Sequence, residues 1–130
     1  MGLTDYSDED DYYSQGFEKA GVVSIWVGLS PVTEGTRVDV LQDLCGVGYY
    51  NLDNQEANAR PETVSFEELL GEISYSNSFK HMALSAAQRI NAMAVAWTIV
   101  QFDFSYDQSR VQRPISEKAV FLGVFPYAIA

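Results

Sequence analysis

From Val22 to Leu29 the chain reads Val-Val-Ser-Ile-Trp-Val-Gly-Leu. Apolar side chains fall on both parities, the pattern of a strand covered on both faces. Trp26 is then a core residue whose indole N–H needs one partner, and Gly28, Ser30 and Pro31 end the strand. From Thr33 to Gly46 the period changes: Val38, Leu41, Leu44 and Cys45 recur at helical spacing, with Gly46 and Gly48 as a stop. Tyr49 and Tyr50 suit a short strand or its edge, Asn51 to Glu56 a polar loop, and Asn58 to Thr63, with Arg60 and Pro61, an irregular connector.

Ser65-Phe66-Glu67-Glu68 has the spacing of a capping box, in which serine and Glu68 satisfy each other's backbone donors. It predicts a short helix to Leu70, closed by Gly71 and followed by a polar hinge at Ser74, Tyr75 and Ser76. The main helix is expected from Asn77 to Met93, with Phe79, Met82, Ala83, Ala86, Ala87, Ile90 and Met93 as its apolar stripe. Val95 to Phe104 has the composition of a central strand. Strict alternation would put Ala96, Thr98, Val100, Phe102 and Phe104 on one face, and Val95, Trp97, Ile99, Gln101 and Asp103 on the other. Ser105 to Pro114 is a polar link. Lys118 to Tyr127 is a last strand whose Pro126 argues for an edge or a strand end.

Strands separated by irregular links and unequal helices, without βαβ alternation, predict an α+β fold with a mainly antiparallel sheet. Its expected members are Val22 to Gly28, Val95 to Phe104 and Lys118 to Phe125, with the helix from Asn77 to Met93 on one face. At 130 residues the chain suits one domain, read as residues 21–130 behind a mobile leader of residues 1–20.

Charge changes the functional picture. Eighteen acids face eight bases, a net charge of −10, and the first 20 residues hold six of those acids against one base. Such a field repels nucleic acid and membrane surfaces and favours a basic partner. No apolar run reaches the ~20 residues that a membrane span needs. With Cys45 as the single cysteine, no internal disulfide is possible; with no secretory leader expected either, the cytoplasm is the predicted location.

Candidate chemistry is sparse. Asp53 and Glu56 could act as a carboxylate pair, and His81 could join them in a small hydrolase or ligand-binding enzyme. Yet His81 is remote in sequence, and no metal-ligand spacing, phosphate-cradling glycine loop or nucleophile elbow occurs. Cys45 falls on an apolar stripe, as a buried small residue would. No catalytic residue, cofactor or metal is therefore expected. An acidic adaptor acting on a host protein is a further alternative.

Four segments carry a resemblance to a known family: Val23-Ser24-Ile25-Trp26-Val27-Gly28, Gly48-Tyr49-Tyr50-Asn51-Leu52-Asp53-Asn54-Gln55-Glu56, Leu69-Leu70-Gly71-Glu72-Ile73-Ser74-Tyr75, and Phe121-Leu122-Gly123-Val124-Phe125-Pro126-Tyr127. Their order and spacing resemble the immunity protein 22 family of bacterial polymorphic-toxin systems, which includes contact-dependent growth inhibition. In the second segment only Asp53 and Glu56 keep the family's acidic character. The resemblance implies an α+β protein, not an enzyme, that neutralises a cognate toxin, such as a nuclease, in the producing cell. Aromatics beside carboxylates then nominate Tyr49, Tyr50, Asp53 and Glu56 as toxin-facing, with Glu67, Glu68 and Glu72 extending the surface.

Overall fold

A computed structural model describes residues 17–29, 52–107 and 119–128. The expected helix from Thr33 to Gly46, with Cys45, lies outside these, as do Tyr49, Tyr50, the first 16 residues of the acidic leader and most of the link to Pro114.

The described chain runs β1 (Glu18–Gly28), β2 (Gln55–Ser65), α1 (Phe66–Leu70), α2 (Lys80–Arg89), β3 (Ala94–Phe104) and β4 (Val120–Pro126), with short 3-10 turns at Leu52–Asn54 and Ser76–Ser78. The strands form one antiparallel sheet in the order β2-β3-β1-β4. The fold is thus α+β, with β1 and β3 central as their two-sided apolar pattern requires. β4 is at an edge, and Pro126 is its last residue.

Both helices cover one face, where Phe66, Leu69, Leu70, Phe79, Ala83 and Ala87 meet Val23, Ile25, Val27, Val100 and Phe102. On the other face Phe17, Trp26, Trp97, Ile99, Phe104 and Tyr106 form a second, aromatic cluster. Trp26 is fully buried there, edge-on to Tyr106 at 5.1 Å and tilted against Phe121 at 5.4 Å. Its Nε1–H has no hydrogen-bond partner among the described residues, contrary to expectation. A buried N–H donor without a partner costs about 1–3 kcal/mol.

β2 overturns the expected connector. Gln55 to Ala59 pair in register with Gln101 to Trp97, so Glu56 lies on a strand opposite Val100 and not on a loop. The strand is polar because it is an edge: Ala57, Ala59, Pro61, Glu62 and Thr63 are exposed. The pairing then jumps to Val64↔Val95, leaving Arg60 to Thr63 in a bulge.

Strict alternation in β3 fails at both ends. Near the jump, Val95 joins the helix-side core and Ala96 the aromatic cluster. At the far end Asp103 has φ 58, so Phe102 faces the helices while Phe104 turns to the other side.

The main helix is shorter than its apolar stripe. Asn91, with φ 58, ends it in a Schellman motif: Ala92 N donates to Ala87 O at 2.8 Å and Asn91 N to Gln88 O at 3.3 Å. Ile90 and Met93 consequently leave the stripe, 50% and 39% exposed, while its other members Phe79, Met82, Ala83, Ala86 and Ala87 line the inner side, joined by Leu84. For α1 half of the expected capping box is present. Ser65 Oγ accepts from Glu68 N at 3.2 Å, while the Glu68 carboxylate turns to Arg60.

Gly28 faces Trp97 across the central pair, and the indole lies directly over it. A Cβ at Gly28 would sit 1.9 Å from Trp97 Cε2 and Nε1. Gly28→Ala must therefore displace a buried ring; urea unfolding should show a loss of about 1–3 kcal/mol, the usual cost of overpacking. A variant as stable as the parent would show that Trp97 has room to move.

Candidate functional site

Four of the five nominated acids sit at the corner where β2 packs against α1 and the segment that follows it. On its helix-facing side β2 presents Glu56, Asn58 and Arg60, and each closes a contact with the segment that follows. Glu56 accepts from Ser74 N at 3.0 Å, and Asn58 Nδ2 donates to Leu69 O at 3.3 Å. Arg60 donates to Asn58 Oδ1 at 2.7 Å and reaches two carboxylates: Nε is 3.6 Å from Glu68, and an Nη is paired with Glu72. Lys80 at the start of α2 lies 3.3 Å from Glu67.

Four nominated residues, Glu56, Glu67, Glu68 and Glu72, are therefore assembled by this corner. Their roles differ. Glu56 is half-buried and tied to a backbone N–H, so it holds the α1–α2 connection in place. Glu67, Glu68 and Glu72 are exposed, with ion pairs that solvent screens to ~1 kcal/mol or less each. Asp53 lies exposed in the 3-10 turn before β2, and Tyr49 and Tyr50 fall outside the described residues.

The alternative constellation divides among three elements: Asp53 in that turn, Glu56 on β2 turned to Ser74, and His81 exposed on α2. Among the described residues no three His, Cys, Asp or Glu side chains are grouped so as to hold a metal ion, and no helix is long and apolar enough to cross a membrane.

A second feature adjoins this corner. Tyr75, read from sequence as part of a polar hinge, has φ 59 and is 44% exposed. A bulky residue in that conformation needs external support. Its carbonyl accepts from Ser78 N at 3.0 Å and Ser78 Oγ at 2.7 Å, and its ring stacks on Tyr127 at 6.1 Å and meets Phe102 edge-on at 5.9 Å. Tyr127 in turn donates to Asp103 Oδ1 at 2.8 Å, which also accepts from Gly21 N at 3.0 Å. The aromatic pair is thus fixed to the bulges of β1 and β3. Sequence reading missed it because the flanking serines suggest solvent; an aromatic in a serine-rich turn was the available signal.

Comparison of the chain with protein-family profiles, with curated proteins and with solved structures finds no match.

Loss of solvent, the hydrogen bond to Asp103 and the nearby charge of that carboxylate push the Tyr127 hydroxyl up to about 12. The unfolded chain releases this proton near pH 10, so between ~10 and 12 the folded state binds the extra proton and stability falls as pH rises. The contribution is complete below ~10 and lost through 12. Alkaline unfolding series should therefore fall more steeply for the parent than for Tyr127→Phe. Parallel curves would show that Tyr127 titrates normally.

Proposed function

We propose that this chain is an immunity protein that binds and neutralises a basic toxin domain in the cytoplasm of the cell that makes it, and is not an enzyme. The observation that carries the reading is the β2–α1 corner. Three exposed carboxylates, Glu67, Glu68 and Glu72, project from one short helix and the residue after its cap, and among the described residues Arg60 and Lys80 pair with them. The net charge of −10 extends the same field over the molecule. A surface of this kind accelerates encounter with a cationic partner, such as the substrate groove of a nuclease. The four segments that resemble the immunity protein 22 family support the same reading, two of them lying on β1 and β4 and a third on the α1–α2 connection. Glu56 belongs to the corner as its internal support, and Asp53 adds an exposed carboxylate in the turn before β2.

The test uses the C-terminal domain of any large secreted protein encoded immediately upstream. Coexpression should rescue cells from that domain. Replacing Glu67, Glu68 and Glu72 together by Gln, which keeps their shape, should slow association at low salt by roughly tenfold and flatten its salt dependence, with little change in dissociation. An unchanged salt dependence would move the contact away from α1, and absence of protection by the parent protein would end the immunity reading.

A further inference from the structure

We infer that Tyr75 is a preformed anchor for an arginine side chain on the basic partner; the inference deepens the reading above. Three observations converge. First, Tyr75 is exposed yet held rigid: its left-handed backbone is fixed by two hydrogen bonds from Ser78, and its ring rests on Tyr127 and the edge of Phe102. A ring ordered before binding loses little entropy on contact, which is the property that makes tyrosine a recurrent interface anchor. Second, the strain of a positive φ at a bulky residue serves no packing need that glycine at this turn would not meet, apart from placing the ring. Third, the surroundings are acidic. Glu56 binds the N–H of the preceding Ser74, Glu72 lies three residues back, and Asp103 sits behind Tyr127. Arg60 is already committed to Glu68 and Glu72. An exposed aromatic face suits a planar guanidinium, which stacks on it, better than an ammonium, and the carboxylates of the adjoining segments add a field that favours a cation.

The probes are two blocked tripeptides, Gly-Arg-Gly and Gly-Lys-Gly, titrated into the full 130-residue chain with aromatic ring resonances as readout. The arginine peptide should shift the Tyr75 and Tyr127 rings saturably and bind ~3-fold or more tightly than the lysine peptide. Tyr75→Phe should keep this binding. Tyr75→Gly accepts the turn without strain and folds, but should lose the shift at Tyr127 and weaken binding at least ~5-fold. Equal affinity for the two peptides, or Tyr75→Gly binding within about twofold of the parent, would overturn the anchor. The immunity reading is judged separately. Should the upstream toxin domain bind Tyr75→Gly as well as the parent, immunity stands and the anchor falls. Should the peptide arm succeed where that domain does not bind, the anchor stands and immunity falls.

Discussion

A strand pair buried on both faces leaves its neighbours little choice. In β1 and β3 every residue from Val23 to Gly28 and from Val95 to Phe102 is buried, so each backbone N–H and C=O there must find a partner inside the protein. β2 and β4 supply those partners, and the helices and the aromatic cluster supply the covers. Polar side chains add hydrogen bonds of their own. Ser24 Oγ donates to Phe104 O and accepts from Tyr106 N, Thr98 Oγ1 donates to Trp26 O, and Asp103 takes the N–H of Gly21. Ser24 and Thr98, buried on the two central strands, are thus hydrogen-bonded to backbone groups of the partner strand and its continuation in addition to the ladder.

This explains which elements were legible in the sequence. β1, β3 and β4 announce themselves because two-sided or edge burial selects apolar and β-branched residues. The N-cap of α1 was legible because one serine must meet one backbone donor, a local requirement. β2 was not, since Gln-Glu-Ala-Asn-Ala-Arg-Pro-Glu-Thr-Val-Ser carries almost no apolar face and holds a proline. Its conformation is imposed by β3, whose open side needs a partner; that is information held in another segment, distant in sequence and adjacent only in space. The overlong reading of α2 failed for a different reason. Ile90 and Met93 keep helical spacing, but Asn91 takes the left-handed conformation available to it and redirects the chain.

The site was legible in composition rather than in roles. Glu67 and Glu68 were read as neighbours on a helix start, and they are. Glu56 is nominated as toxin-facing because aromatics stand beside carboxylates in its segment; that its carboxylate also secures Ser74 is something only the fold can show. The role of Tyr75 is not legible in sequence because it depends on contacts with Phe102 of β3 and with Tyr127 just after β4, both well after it in the chain.

In the proposed interface these residues divide the work of binding by physical type. Carboxylates at an exposed helix act through a screened field, and Arg60 and Lys80 already neutralise part of it, so no single new ion pair would contribute much net affinity. Their effect falls on the rate of encounter. An ordered aromatic ring acts only at contact, through desolvation and stacking, and so governs dissociation. Partial neutralisation has a second consequence: without Arg60 the Glu68 and Glu72 charges would repel across a cap that must stay folded, so the cation limits the local cost of acidity while leaving the outward field negative. The corner is therefore a compromise between self-repulsion and attraction, and the ring beside it adds attraction at contact without adding to the self-repulsion.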